Sequence, residues 1–279
     1  MFSVKPMSKR DFQFATKLAN TMNWNMADED FQFMTNLEPE GCFVAFHGTE
    51  RVGMATSISF GEVGWFGNLI VKEKYRNKGV GQLLVKHSIN YLQAKGAKTI
   101  GLYAYPNLTR FYDNLGFKFD EDFMVLHAEA LRSLTYEVLP KLRRQQIKAI
   151  EKFDSRCFGG NRQKLLESII LEKSNLSYFK LEGKEVAGYV AATVYEKMAW
   201  IGPLICLEGK VDFATSLLQV VLSNVAGKSL YLVLSKKEAA LADMLFHVGF
   251  REDFSVSRMF LGQAVAKNCI YMAESLERG

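Results

Sequence analysis

The sequence is poor in the residues that build metal centres and disulfide frameworks. Its four histidines are scattered and lack the spacing of metal ligands. The four cysteines are equally far apart, with no C-x-x-C pair, and they are Cys42, Cys157, Cys206 and Cys269. This distribution is typical of free, buried thiols in a reducing compartment. We therefore expect no bound metal.

Long apolar segments are also missing. The first twelve residues, MFSVKPMSKRDF, contain no apolar stretch like that of a secretory signal. No apolar run approaches the roughly 20 residues that are needed to span a bilayer. We therefore expect a soluble protein of the cytoplasm with no membrane partner.

The composition is that of a folded protein, because 48% of the 279 residues are apolar and 23% are charged. A formal charge of +5 suits a small anionic ligand. It does not form the concentrated basic patch that nucleic-acid binding usually needs. We expect a small-molecule partner and no nucleic acid, and the sequence leaves the oligomeric state open.

A short basic turn, RNKGVG at residues 76–81, is the most informative segment. It joins an apolar, branched run at 65–71, typical of a strand, to a segment with helical spacing of apolar residues. Gly79 and Gly81 let the backbone bend and approach a ligand, and the free amides of a first helical turn favour an anion there. The turn has neither the P-loop spacing nor the dinucleotide-binding spacing. It predicts either a phosphate cradle of another kind or a plain connection.

Four short matches recur along the chain at a nearly constant offset. The pairs are Pro6 with Pro140, 48–53 with 183–188, 65–71 with 200–206, and 114–117 with 247–250. Offsets of 133 to 135 residues, in the same order, indicate two copies of one fold. We expect domains at 1–130 and 131–279, each an α/β unit with a mixed sheet flanked by helices. Residues 117–127 should supply the last strands of the first copy. In the second copy Glu208 and Asp212 stand near the place of the glycine turn, and they would repel a phosphate.

Three motifs of the first copy occur together in a known order: LIVKEKYRNKGVGQLL at 69–84, LYAYP at 102–106 and FYDNLGF at 111–117. In this the first copy resembles the GCN5-related N-acetyltransferases, the GNAT family. Through FDSRCFGGNR at 153–162 and WIGPL at 200–204, the second copy more weakly resembles the C-terminal domain of bacterial two-domain acetyltransferases of the YitH type. The resemblance implies tandem GNAT folds, the second one degenerate, and acetyl-coenzyme A as the co-substrate.

The resemblance also assigns the cofactor contacts. The turn would hold the pyrophosphate through its amides, and the preceding strand would hold the pantetheine arm and the thioester carbonyl through backbone groups. The residues assigned in this way are Leu69, Ile70, Val71, Arg76, Asn77, Lys78, Gly79, Val80, Gly81, Gln82 and Asn107. A bulge near Gly67 would splay the sheet beside the strand. Asn107 is out of register, because the family's asparagine position is Tyr105 here, and it could instead cap the next helix.

The resemblance places Tyr112 where the family has the general acid that protonates the leaving thiolate, which a phenol near pKa 10 can do. A packed core tyrosine is the alternative. Trp24, Trp65 and Asp154 are candidates for the acceptor side, although the tryptophans could belong to the core and Asp154 to a helix-capping turn.

The general base remains unassigned, because Trp65 stands where some family members have a glutamate. An amine could enter deprotonated, or lose its proton through water to Glu62, His47 or Asp113. We expect transfer of an acetyl group to a primary amine of a small molecule, by direct attack in a ternary complex. The alternatives are a transferase for another acyl group and a non-catalytic coenzyme A sensor.

Overall fold

The computed structural model describes residues 1–129, 131 and 137–279. The expected domain boundary at residue 130 lies outside the described residues. The first half contains β1 Phe2–Pro6, α1 Phe12–Asn20, α2 Asp28–Leu37, β2 Cys42–His47, β3 Glu50–Phe60, β4 Val63–Val71, α3 Val80–Ala94, β5 Thr99–Ala104, α4 Thr109–Asp113 and β6 Lys118–Ala128. The second half contains α5 Ile147–Phe158, α6 Gln163–Ile170, β7 Leu176–Glu182, β8 Glu185–Val194, β9 Met198–Leu207, α7 Val211–Asn224, β10 Ser229–Ser235, α8 Ala239–Val248, β11 Arg251–Leu261 and β12 Cys269–Ala273.

The two halves share one order of elements, which confirms the repeat. From α1 to β6 the order is helix, helix, three strands, helix, strand, helix, strand, and it recurs from α5 to β11. Among the strands and α-helices of the described residues, β1 and β12 fall outside this shared order. None of the helices in the described part of the chain has the length and apolar character needed to cross a membrane.

All twelve of these strands form one mixed sheet, in the order β1-β2-β3-β4-β5-β11-β6-β10-β12-β9-β8-β7. The two halves exchange strands at its centre. β5 of the first half pairs with β11 of the second, and β6 of the first half pairs with β10 of the second. Residues 118–128 therefore form one strand, not the several that we expected from 117–127, because β11 supplies the neighbour of β5.

An apolar cluster joins the halves on one face of the sheet. It contains Phe31 of α2, Trp65 of β4 and Phe158 of α5, all almost fully buried. Burying side chains of this size removes large apolar areas from water, and each Å² of buried apolar surface contributes about 25 cal/mol of stabilising free energy. Separate clusters lie under α3 and α4 in the first half and under α7 and α8 in the second. The halves are therefore held together by a shared core as well as by shared strands.

Candidate active site

Strands β4 and β5 separate part-way along their length. They are parallel neighbours only from Val63–Trp65 opposite Thr99–Gly101. On the other edge of β4, Gly67 faces Thr56 and Ile70 faces Met54, so two residues of β4 face one of β3. This bulge, predicted near Gly67, lies at Asn68 and Leu69, and Asn68 has a positive φ of 48°. The end of β4 thus turns a backbone edge towards an open groove.

The glycine turn lies at the end of this groove. Asn77 and Gly79 have φ values of 60° and 83°, and Gly79 immediately precedes α3. The first α-helical bond here runs from the Leu83 amide to the Gly79 carbonyl, at 2.9 Å. The amides of the three residues between them therefore have no acceptor within the helix. A Cβ added to Gly79 would meet nothing within 4 Å, so there is free space beside the turn.

The positive charges around the turn are not equivalent. Lys72 and Lys74 form ion pairs with Glu50 at 3.2 and 2.8 Å. Hydrogen bonds from Lys74, the Tyr75 hydroxyl and Lys72 lower the pKa of Glu50 to about 2. Arg76 is exposed, and its Nε donates to the Val71 carbonyl at 3.1 Å. Lys72 and Lys74 are both held by the one Glu50 carboxylate, whereas Arg76 and Lys78 form no ion pair within the described residues, so these two are the cations of the turn most available to an anion.

Tyr112 lies beneath the groove on the face covered by α3 and α4. It is 5% exposed, and its ring has edge contacts with Phe66, Phe111 and Phe117. Within the described part of the chain, its hydroxyl forms no hydrogen bond. Burial raises the pKa of Tyr112 above its usual value, so the phenol keeps its proton at neutral pH. Tyr112 is therefore compatible with both interpretations, the general acid and the core tyrosine, because its ring is packed in the core while its hydroxyl has no partner among the described residues.

Asn107 lies in a short 3₁₀ helix, Pro106–Leu108, and is exposed. Leu108, not Asn107, occupies the N-cap position of α4, and no side chain caps that helix. The alternative that Asn107 caps the helix is therefore wrong. Its assignment to the cofactor stays a prediction.

Trp24 lies half-buried in the loop between α1 and α2. Its indole Nε1 donates to the Tyr105 hydroxyl at 3.1 Å, and the Tyr105 ring lies 5.5 Å from that of Phe254. Since Phe254 belongs to β11, the second half contributes to this aromatic wall. The wall stands on the side of the sheet away from α3.

Trp65 is covered by the last six residues, 274–279, which we call the tail segment. Its Nε1 donates to the Leu276 carbonyl at 3.2 Å, and a Cβ added to Gly279 would lie 2.7 Å from the indole. A Cβ added to Gly67 would lie 2.6 Å from both Cα and Cβ of Glu277. Glycine is needed at 67 because the tail segment crosses β4 there. Nothing in the short, unpatterned sequence of 274–279 indicated this placement.

Asp154 is fully buried and does not face the groove. Its carboxylate accepts two hydrogen bonds from Arg162, at 2.6 and 3.1 Å, and one from the Tyr189 hydroxyl at 2.5 Å. Arg162 in turn donates through Nη1 to a Gly279 oxygen at 2.9 Å. The pair therefore fixes the end of the tail segment. This burial does not support direct contact between Asp154 and a substrate.

The second half closes the equivalent groove with its own chain. β9 and β10 are parallel neighbours only from Met198–Ile201 opposite Ser229–Leu232. β12 then enters between them, with Met272 opposite Leu204 on one side and Leu234 on the other. A cavity of about 240 Å³ remains near Gly209. This volume is below the roughly 300–1,000 Å³ of most small-molecule sites.

Within the described residues, no group of three or more His, Cys, Asp and Glu side chains is arranged to hold a metal ion.

Two sequence profiles match the chain. Residues 10–117 match the profile described as the acetyltransferase (GNAT) family, and residues 150–271 match one described as an acetyltransferase (GNAT) domain. The chain belongs to the GNAT acetyltransferases. It is a tandem GNAT protein, as the resemblance predicted, and acyl transfer is the general activity of its family. A comparison with curated proteins gives no significant match.

Solved structures share this tandem fold. The chain is similar to a protein of Pyrococcus horikoshii, provisionally described as an acetyltransferase, with 20% identity, a TM-score of 0.82 and coverage of 100% of this chain and 96% of that one. It is also similar to a GCN5-related N-acetyltransferase of Sphaerobacter thermophilus, with 12% identity, a TM-score of 0.64 and coverage of 96% of this chain and 98% of that one. A tandem GNAT protein of the clavulanic acid biosynthesis pathway is similar too, with 11% identity, a TM-score of 0.63 and coverage of 96% of this chain and 99% of that one. At these identities the likeness establishes the fold, with its mixed sheet flanked by helices.

Proposed function

We propose that this GNAT protein transfers the acetyl group of acetyl-coenzyme A to a primary amine of a small molecule. The observation that carries the proposal is the groove of the first half, where the free edge of β4 leads to the glycine turn and the unpaired amides in the first turn of α3. The second half has the same strand separation but fills it with β12. One donor site per chain follows.

The residues of the groove fit the proposed cofactor. Free amides at the start of a 15-residue helix, with Arg76 and Lys78 beside them, suit a pyrophosphate. The backbone at 69–71, which continues from the bulge, suits the amide-containing pantetheine arm, because this arm can add to the strand as another strand would. The amide nitrogen of the Asn68 side chain is buried without a partner in the described part of the chain, so a polar atom of the bulge lacks an acceptor. When bound, acetyl-coenzyme A supplies an activated acetyl thioester.

Residues of the chain then position the two reactants and protonate the leaving thiolate. Arg76 bridges to the Val71 carbonyl, so this side chain must turn towards the phosphates before the strand edge is free. Tyr112 holds a proton that a leaving thiolate can take. Alignment of the two reactants in one ternary complex supplies much of the acceleration, which is why few catalytic groups are needed.

The acceptor side supports a small substrate. The tail segment covers Trp65 and crosses Gly67, and the aromatic wall of Trp24, Tyr105 and Phe254 closes another side. An acceptor entering between them meets little free space along the sheet. We infer a small amine and not the tail of a large protein.

The proposal is tested by binding and by turnover. Isothermal titration should show one acetyl-coenzyme A per chain, and a panel of small amines should release free thiol with at least one member. Absence of acetyl-coenzyme A binding overturns both the acetyltransferase and the sensor. Binding without thiol release from any amine, or release only with a longer acyl donor, replaces the proposal with one of the two alternatives.

A further inference from the structure

The tail segment brings a carboxylate to the place where the first half lacks one. Some GNAT proteins have a glutamate at the position of Trp65, and here that indole is buried under the tail segment. Two residues further along β4, Gly67 is crossed by Glu277 at van der Waals distance. Resting on the proposed function, we propose that Glu277 is the general base that takes a proton from the acceptor amine.

Glu277 is within reach of the reacting atoms. The backbone groups assigned to the thioester begin at Leu69, two residues from Gly67, and two residues of a strand span about 7 Å. A glutamate side chain and the nitrogen of an amine together fill such a span. The bulge at 68 and 69 shortens the distance further, because it inserts a residue without lengthening the strand equally.

The three residues considered first lie elsewhere. Glu62 is at the turn before β4, 67% exposed and paired with Lys98. Asp113 ends α4, 55% exposed and paired with Lys118. His47 ends β2 and contacts the rings of residues 2 and 75. Of these and Glu277, Glu277 is the one in contact with β4 at the open groove.

The tail segment is held firmly enough to present a catalytic group. Trp65 donates to the Leu276 carbonyl, directly before Glu277, and Arg162 donates to Gly279, two residues after it. Within the segment, the Glu274 amide donates to the Gly279 oxygen at 3.0 Å and the Gly279 amide to the Ser275 carbonyl at 3.2 Å. A base fixed on both sides loses little freedom when the substrate binds.

The charges around Glu277 suit a base that meets a cation. Arg278 donates to its Oε1 at 2.6 Å, but Arg278 also forms a two-bond pair with Glu274. Asp30 of α2 and Tyr195, after β8, are the other titratable groups that face this cluster. Two carboxylates, Glu274 and Glu277, therefore share one guanidinium, and Asp30 adds a further negative charge nearby, which leaves net negative charge for an ammonium. Burial raises the pKa of Glu277, Arg278 lowers it and Glu274 raises it. The side chain is 19% exposed, so an acceptor can reach it.

The step balances as follows. Glu277 takes one proton from the ammonium and becomes a neutral carboxyl. The freed nitrogen lone pair forms the N–C bond to the acetyl carbon while the C–S bond breaks. The thiolate receives the Tyr112 proton, the second proton of the nitrogen replaces it on Tyr112, and Glu277 returns its own proton to solvent.

The experiment measures kcat/KM against pH for the full chain. Glu277→Gln, which keeps the shape of the side chain, should lower kcat/KM about 100-fold or more and abolish the acidic limb of the profile. Glu40→Gln, on the exposed surface, is the matched control and should leave the profile unchanged. Acetyl-coenzyme A binding should be the same in all variants.

Substitutions of two residues near Glu277 should shift the acidic limb of the kcat/KM profile in opposite directions. Arg278→Met removes the cation that lowers the pKa of Glu277, so the acidic limb should shift to higher pH. Glu274→Gln removes a carboxylate that raises it, so the limb should shift to lower pH. Both variants break the same Glu274–Arg278 pair, and a purely structural role would therefore change them alike.

Three results overturn the inference. One is a Glu277→Gln enzyme with wild-type kcat/KM and profile. Another is a wild-type limb that follows the pKa of the amine when two acceptors of different basicity are compared. The third is a shift in one common direction for Arg278→Met and Glu274→Gln. Failure of the wild type to bind acetyl-coenzyme A or to release thiol would instead refute the proposed function.

Discussion

Trp65 and Trp200 occupy equivalent positions in the two halves, 135 residues apart, and both indoles donate a hydrogen bond to the tail segment. Trp65 binds the Leu276 carbonyl and Trp200 the Glu274 carbonyl, two residues earlier. The repeat has thus given each half one donor for the same short segment. The tail segment is therefore positioned by both copies at once.

Displacing the tail segment should impair acetyl transfer without affecting the donor site. In Gly67→Ala the new methyl group would overlap Glu277, so the tail segment must shift and turnover should fall at least tenfold. Gly64→Ala is the control, because its methyl group meets the Leu92 side chain on the opposite face. We expect this control to lose about 1–3 kcal/mol of stability by overpacking, but not turnover. Steady-state kinetics and urea unfolding separate the two effects.

The glycine turn should tolerate no negative charge if it holds a pyrophosphate. Gly79→Asp places a carboxylate at the free amides, and titration should show acetyl-coenzyme A binding at least tenfold weaker, or about 1.4 kcal/mol. Gly209→Asp is a close control, because Gly209 has a similar φ (77° against 83°), equally open space and a place just before α7. Equal losses in both variants would mean that backbone strain, not the cradle, causes the effect.

Removing the Tyr112 hydroxyl should affect chemistry alone. Because that hydroxyl has no hydrogen-bond partner in the described part of the chain, Tyr112→Phe should keep both stability and acetyl-coenzyme A binding. Turnover should fall by about 10²–10⁴, the usual contribution of a general acid. Thiol release under saturating donor measures this, and unchanged turnover would assign Tyr112 to the core.

The buried pair of Asp154 and Arg162 should be critical for stability. Asp154→Ala leaves the Arg162 guanidinium buried without its carboxylate, and loss of one partner of such a pair costs about 3–5 kcal/mol. Exchanging both residues for apolar ones of similar volume should cost much less. Urea unfolding of the two variants provides the comparison, and similar losses would contradict a role as a charge pair.

Glu38 should make stability depend on pH. It is 6% exposed and accepts hydrogen bonds from Lys164 of α6, from the Tyr91 hydroxyl and from the Ser59 amide. Burial alone would raise the pKa of Glu38, but these three bonds together lower it. Because the folded pKa lies below the ordinary value of 4.5, the stabilisation is complete above that pH and is lost as the pH falls through the folded pKa.

Glu38→Gln should therefore cost about 2 kcal/mol at pH 7. The difference from the wild type should shrink as the pH falls below 4.5. Thermal unfolding between pH 7 and pH 3 measures it. A difference that is constant over this range would mean that the charge of Glu38 contributes nothing.

Local features of the sequence predicted the local structure. The glycine turn at 76–81 is encoded by neighbouring residues, and the sequence itself indicated it. The bulge near Gly67 was implied by the resemblance, and it lies at residues 68 and 69. The repeat was equally visible, because it needs only self-comparison. The exchange of β6 and β11 between the two halves was not visible in the sequence, since no residue in either strand specifies which half supplies its neighbour.

The tail segment could not be predicted for the same reason. Its contacts with Trp65 and Arg162 join residues more than 100 positions apart. For this reason we assigned Asp154 to the substrate side from the sequence. In the structure Asp154 binds Arg162, which in turn holds Gly279 of the tail segment. The assignment of Trp65 to the acceptor side stays a prediction, and the structure shows its indole in contact with the tail segment.

The exchanged strands impose an order on the synthesis of the protein. When β5 leaves the ribosome, its neighbour β11 is still 147 residues away, from 104 to 251. An unpaired strand edge of this kind invites the wrong partner. The first half holds the donor groove but completes its sheet only after β11, at residues 251–261, has been translated. Ribosome-bound chains should therefore acquire the ability to bind acetyl-coenzyme A late and in a single step.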